Sequence, residues 1–239
     1  MSTLNETSLL SASENFIVKN LCNLEEYSID IGAARGDFAS QMSLYSKFVF
    51  AIEPNPIKIK QLIASRKNIQ LFENAASSIH GKNVELRVVS ATPANSTIEI
   101  LNKLEGFDGI EFRNVTTIKI DEICKHSTSF IKIDCEGHDL DVLYGTEDLI
   151  INTKPSILIE LRDKHNPGYL VKTFQYLLKM KYLPFFVSEK GITEINIGKG
   201  LFEYLDDVIS KQENDQNLTQ DNFLFLNRTN HIKVIRSYM

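Results

Sequence analysis

Asp30, Gly32 and Gly36 stand in the stretch S-I-D-I-G-A-A-R-G-D-F at residues 28–38, with the spacing D-x-G-x-x-x-G. A short apolar run ends in two glycines, and a helix-like pattern (Phe38, Met42, Leu44, Tyr45) follows. Glycines let a backbone approach a ligand closely, and the free N–H groups of a helix start offer hydrogen bonds to it. The spacing differs from G-x-G-x-x-G, the dinucleotide fingerprint. An acid two positions before Gly32 repels a pyrophosphate and suits a cationic group such as an amine or sulfonium.

Further acids fall at matching places. Glu53 comes about twenty residues after the glycine loop, where a carboxylate can accept from both hydroxyls of a ribose. The alternative is an acid that favours a helix start. Asn74, which closes a third apolar run, either reaches an adenine ring or satisfies a turn. Asp134, Glu136 and His138 crowd into five positions after a fourth run. Their carboxylates suit a metal or a substrate hydroxyl, and a histidine there suits the role of general base. The competing reading is acids placed at a helix start. Glu160, with Arg162 and His165 beyond it, ends a fifth run, as a second acid near the reacting centre or as a buried partner of Arg162. No resident metal is assigned. Asp30 and the missing fingerprint argue against NAD and for S-adenosylmethionine, with Glu53 as the ribose partner.

The elements that must position these residues alternate. Strands are predicted over Ser28–Ile31, Phe48–Ile52 and Ile69–Glu73, with helices over Asp37–Ser46 and Ile57–Arg66 between them. This β-α-β rhythm implies a parallel sheet with right-handed crossovers. It breaks at a strand over Val84–Val89, a polar, glycine- and proline-interrupted stretch at 90–113, and a strand over Val115–Ile120. That insertion either carries substrate contacts or elaborates the sheet edge as a hairpin. Strands resume at Phe130–Ile133 and Ser156–Leu161, each followed by a helix (from Asp139, and over Gly168–Met180). Late strands are predicted at Pro184–Val187 and Phe223–Leu226, with a short one at Ile192–Ile197 and a helix over Leu201–Ser210. Before the core, Ser11–Leu24 reads as a lead-in helix capped by Ser13. Lys211–Gln220 reads as a mobile loop and Arg228–Met239 as a frayed tail.

Composition bounds the partners. The chain has 239 residues, 43% hydrophobic and 24% charged. That suits a single domain: a lead-in at 1–27, a core at 28–187 and an elaboration at 188–239. A net charge of −5 disfavours nucleic acid as partner. Three scattered cysteines, no basic and apolar leader, and no apolar run of about 20 residues predict a cytoplasmic protein.

Four stretches carry a likeness: D-I-G-A-A-R-G-D-F-A (30–39), A-I-E-P-N-P (51–56), E-N-A-A-S-S (73–78) and F-I-K-I-D-C-E-G-H-D-L-D-V-L-Y-G (130–145). Together they resemble the FkbM family of S-adenosylmethionine-dependent methyltransferases over roughly residues 28–187. The resemblance implies an α/β, Rossmann-like class I methyltransferase fold. Its seven-stranded, mostly parallel sheet has the last strand antiparallel and helices on both faces. It also implies that Asp30, Gly32 and Gly36 flank the methionine moiety, that Glu53 holds the ribose, and that Asn74 and Ala75 line the adenine side. Ala33, Arg35, Pro54 and Asn55 complete the expected cofactor contacts, and Asp134 faces the transferred methyl. Asp134, His138 and Glu160 are the expected catalytic set. The acceptor is expected to be a hydroxyl of a small molecule, sugar or glycan, with S-adenosylhomocysteine as by-product. Rival readings are an N- or RNA-methyltransferase of the same fold, or a non-catalytic cofactor-binding scaffold.

Overall fold

The computed structural model describes residues 10–57, 59–106, 108–198, 200–214 and 221–239. Ser11 opens it with a capping box: its hydroxyl accepts from Glu14 N at 3.2 Å, and Glu14 Oε2 accepts from Ser11 N at 2.8 Å. This starts α1 (Ala12–Leu21). Ser13, the expected cap, lies inside the helix and donates to Ser188 O.

Strands β1 (Tyr27–Ile31), β2 (Phe48–Ile52) and β3 (Ile69–Phe72) follow, separated by α2 (Asp37–Met42) and α3 (Ile59–Ile63). Both helices are shorter than expected. Next come β4 (Ala75–Ala76), β5 (Asn83–Val89) and β6 (Ile110–Ile118), then α4 (Ile120–Ile123) and β7 (Thr128–Ile133). Helices α5 (Asp139–Tyr144) and α6 (Glu147–Thr153) lead to β8 (Ser156–Glu160). Then follow α7 (Tyr169–Lys179), β9 (Leu183–Ser188), β10 (Gly191–Glu194), α8 (Leu201–Asn214), β11 (Asn222–Leu226) and α9 (Thr229–Tyr238).

The main sheet runs β10-β9-β11-β8-β7-β1-β2-β3. Strands β3, β2, β1, β7 and β8 are mutually parallel, and β11 inserts antiparallel between β8 and β9. The seven expected strands are therefore present, and β10 adds an eighth as a hairpin on β9. Side chains alternate to the two faces, as a period of two requires. On β8, Ile157 and Ile159 join α5, α6, α7 and α8, while Leu158 joins the opposite core with α1, α2 and α9.

The insertion is a hairpin: β5 and β6 pair antiparallel, with β4 on the other edge of β6. Strand β6 begins at Ile110, before the expected Val115. Residues 111–114 are exposed, so no apolar alternation marks them in the sequence. The expected frayed tail is helix α9. Ile235 is buried, His231 Nδ1 meets Ser156 Oγ at 2.7 Å, and Phe16 stacks on Tyr238. Arg228 anchors the helix start through Glu26 Oε2 at 2.6 Å and the carbonyls of Thr128 and Thr153. Of the expected mobile loop, Lys211–Asn214 belongs to α8, and 215–220 lies outside the described residues. Among the described residues no helix is long and apolar enough to cross a membrane.

Candidate active site

The carboxyl ends of β1, β2, β7 and β8 open onto one cleft, a cavity of about 220 Å³. Ligands of open parallel sheets bind at this edge. Gly32, Ala34, Glu53, Pro54, Ala75, Asp134, His138 and Glu160 all line it.

The glycine loop is held from two sides. Gly32 N and Ala33 N both donate to Ile52 O, at 2.9 and 3.1 Å. Glu53 Oε2 accepts from Ala34 N and its Oε1 from Asn55 N, each at 2.7 Å. Burial pushes the Glu53 carboxyl up to about 7 against those two hydrogen bonds. Gly32 has φ +75°, and a β-carbon there would collide with the Asp134 backbone.

Asp30 does not line the cleft. It is 1% exposed, and its Oδ2 accepts from Ala39 N at 2.8 Å. The N-cap of α2 is Gly36, which has no side chain to offer, and Ala39 is the third helical residue. Asp30 thus caps α2 from the neighbouring strand, satisfying an N–H that a local serine or aspartate usually takes. Burial pushes its carboxyl up to about 7, although Lys132 opposes the shift.

Five other expected contacts also turn elsewhere. Ala33 packs in the core beside α1 and α2, and Gly36 turns toward α3, where a β-carbon would collide with Ile59. Arg35 pairs with Asp37 at 3.1 Å in solvent. Asn55 accepts from Arg113 at 3.0 Å, and Asn74 donates to Thr116 O on β6.

After β7 the chain turns sharply through residues 134–138. Glu136 takes φ 50° and Gly137 φ 99°. The buried Asp139 carboxylate accepts from Cys135 N at 2.7 Å and Gly137 N at 3.1 Å. Thr97 Oγ1 and Asn102 Nδ2 both donate to Glu136 O at 3.0 Å, tying the segment between β5 and β6 over the turn. A left-handed glutamate survives only where its surroundings over-determine it, as these hydrogen bonds do. His165 Nδ1 lies 3.2 Å from Glu136 Oε2. Burial and the adjacent Asp134 push Glu136 up to about 8, while burial and Arg162 push His165 down to about 4.

Glu160 receives Arg162 Nη2 at 2.8 Å, and Arg162 Nε donates to Asp221 at 2.7 Å. Burial and Asp134 hold Glu160 well above the usual carboxylate range, with Arg162 opposing. The His138 ring is engaged at both nitrogens: Nε2 with Ser77 Oγ at 3.0 Å, Nδ1 with Glu99 Oε2 at 3.2 Å.

Sequence reasoning missed Lys132 and Glu99. Lys132 is 4% exposed; its Nζ lies 3.4 Å from Asp134 Oδ2 and 5.4 Å from the Phe38 ring centre. Burial alone would lower its pKa, but Asp134, Glu160 and Asp30 outweigh that and push it up to about 12. The signal was present, since a lysine inside the otherwise apolar run F-I-K-I needs a buried counter-charge. Glu99, far along the chain from His138, left no such trace.

A cleft floored by glycine backbone, with a carboxylate beside the loop and further acids around its centre, fits a ligand carrying ribose hydroxyls and a positive charge. Residues 30–184 match the family model for the methyltransferase FkbM domain. No curated protein matches the chain. Among solved structures, methyltransferase FkbM from Methylobacillus flagellatus aligns at a TM-score of 0.51 and 18% identity over 86% of this chain. The alignment spans 44% of that protein, so the chain covers less than half of its length. An rRNA methylase from Streptococcus thermophilus aligns over 90% of this chain and 93% of its own, at 11% identity and a TM-score of 0.48. A Streptococcus mutans protein crystallised with SAH aligns over 90% and 94%, at 10% identity and 0.43.

Proposed function

Because the chain belongs to the FkbM methyltransferase family, we propose that it moves a methyl group from S-adenosylmethionine to a hydroxyl of a small molecule, sugar or glycan. The observation that carries this reading is the convergence of Gly32, Glu53 and Asp134 from three neighbouring parallel strands onto one cleft.

Bound S-adenosylmethionine supplies a methyl carbon already activated by a positive sulfur, so the protein mainly aligns the nucleophile and removes its proton. Gly32 and Ala34 offer close backbone approach, and Glu53 with Pro54 receives the ribose. Ala75 lines the adenine side. Asp30, Gly36 and Ala33 support the loop from beneath. Asp134, the more exposed acid at the strand end, takes the proton of the acceptor hydroxyl. Lys132 keeps that carboxylate oriented, and Glu160 with Arg162 forms the far wall. His138, tied at both ring nitrogens, shapes the wall on the side of Ser77 and takes no part in the proton transfer.

Calorimetric titration with S-adenosylhomocysteine tests the donor, and labelled methyl transfer onto a panel of sugars, glycans and polyketides tests the acceptor. Asp134→Asn should keep cofactor affinity and lose turnover. Unchanged turnover removes Asp134 from the proton transfer. Absence of S-adenosylhomocysteine binding by the unaltered chain removes the donor assignment altogether, and binding without any transfer supports the scaffold reading instead.

A further inference from the structure

Beyond the cleft wall lies a second, open groove of about 650 Å³, and His138 faces both spaces. Glu99 and Asp141 join His138 on the groove side. One donor atom from each of the three lies within 4.8 Å of the others. These are not loose surface acids: the side chains of His138 and Glu99 are 15% and 12% exposed. The geometry points to a divalent transition-metal site, in which His138, Glu99 and Asp141 hold one ion of the Mn²⁺ or Zn²⁺ kind.

Spacing supports the set. His138 caps α5 and Asp141 lies in its first turn, so the two are three residues apart and share a helix face. Pairing a histidine and a carboxylate at this spacing is a recurrent way for one helix to supply two ligands. Glu99 arrives from the segment between β5 and β6 as the third.

The surrounding hydrogen bonds are of the kind that orients ligands. Ser77 Oγ meets His138 Nε2, while Ser78 Oγ and Tyr169 OH each donate to Asp141 at 3.2 Å. Metal-bound histidines commonly donate their other ring N–H to such a partner. With that proton on Nε2, the Nδ1 lone pair faces the Glu99 carboxylate at 3.2 Å. In the other tautomer Nδ1–H donates to Glu99 directly, so it is the binding of an ion that would select the proton on Nε2 and free the Nδ1 lone pair. An ion about 2.1 Å from each would subtend roughly 100°, between the octahedral and tetrahedral values. Asp141, whose donor oxygen lies within 4.8 Å of the other two donor atoms, would move inward to complete the set. The remaining coordination positions open to the groove and take water.

The ion would fasten the segment carrying Glu99 to the turn that carries Glu136, adding to the Thr97 and Asn102 hydrogen bonds. The site is therefore a clasp over the cofactor cleft, and its existence does not depend on which acceptor is methylated.

Mn²⁺ alone, added to the chelator-treated full chain, tests this by electron paramagnetic resonance and calorimetry, with Zn²⁺ as second probe. The expected result is one ion per chain, with affinity lowered at least tenfold in both Glu99→Gln and Asp141→Asn. Glu85→Gln, on the same groove but outside the set, should bind as the unaltered chain does. Bound metal should also slow amide hydrogen exchange at residues 94–102. Thermal unfolding confirms that each variant is folded. No saturable binding, or equal binding by Glu99→Gln and Asp141→Asn, overturns the site. A chain that binds metal but not S-adenosylhomocysteine keeps the clasp and loses the donor assignment, so the two fail separately.

Discussion

Gly32 packs so tightly on Asp134 that a β-carbon built on the glycine would lie 1.8 Å from the Asp134 carbonyl oxygen. The glycine loop and the proposed proton acceptor are thus parts of one close-packed corner. Gly32 also has φ +75°, which L side chains rarely adopt. Gly32→Ala is expected to cost about 3 kcal/mol in urea unfolding, from overpacking and backbone strain together, and to abolish S-adenosylhomocysteine binding. Gly81 shares φ +75° but has nothing within 4 Å of a built β-carbon. Gly81→Ala should therefore cost only about 1 kcal/mol and leave binding intact. Equal losses in the two variants would mean that the close approach to Asp134 is immaterial.

Glu53 bridges Ala34 N and Asn55 N with separate carboxylate oxygens, each at 2.7 Å. In Glu53→Gln one of those acceptors becomes an amide donor facing an N–H, while the volume stays the same. The glycine loop loses one clamp, and the ribose loses an acceptor. Titration calorimetry should show S-adenosylhomocysteine affinity lowered by roughly tenfold or more, the scale of a lost charged hydrogen bond. Unaltered affinity would remove Glu53 from the ribose site.

Lys132 pairs in register with Asp30 across β1 and β7 and reaches Asp134 at 3.4 Å. It is the buried cation among Asp30, Asp134, Asp139 and Glu160. Lys132→Met keeps the aliphatic stem and leaves those carboxyls without their shared counter-charge. Removing one partner of a buried pair typically costs about 3–5 kcal/mol. Denaturant unfolding should show a loss of that size at pH 8 and a smaller one near pH 5, where the raised acids can protonate instead. A loss independent of pH would show that Lys132 acts through packing alone.

The stability of the ligand-free chain should fall as pH rises from 6.5 to 8. Burial lifts Asp30 and Glu53 from 3.8 and 4.5 to about 7, and burial with Asp134 lifts Glu136 to about 8. The folded chain holds these protons after the unfolded chain has released them. Stability is then greatest below the ordinary carboxylate values and is lost as pH climbs through the folded ones. His165 and His231, pushed from 6.5 to about 4 chiefly by burial, act in the opposite sense, but only between those two values. Above 6.5 the acids act unopposed. Scanning calorimetry should record a midpoint lower by about 5 °C at pH 8 than at pH 6.5. A flat or rising midpoint would mean that these carboxyls are already ionised in the fold.

By itself the sequence determined the alternation of strands and helices, the parallel sheet it implies, and the edge at which chemistry gathers. Apolar runs, the glycines and the acids that end the runs are local features, and parallel crossovers allow few arrangements of them. Gly32, Glu53, Asp134 and Glu160 reach the cleft because each sits at or just beyond the end of a parallel strand. Only the tertiary structure decided which way the other polar groups turn. Asp30 faces α2 because Gly36 cannot cap that helix. Asn74 faces β6 because a strand from forty residues later lies there. Thr229–Tyr238 forms a helix because His231 and Ile235 find Ser156 and the core at the far side of the sheet. Lys132 and Glu99 acquired their places in the same way. A side chain's period along the chain says which face it takes, but its partner comes from a distant segment, and only folding brings that segment near.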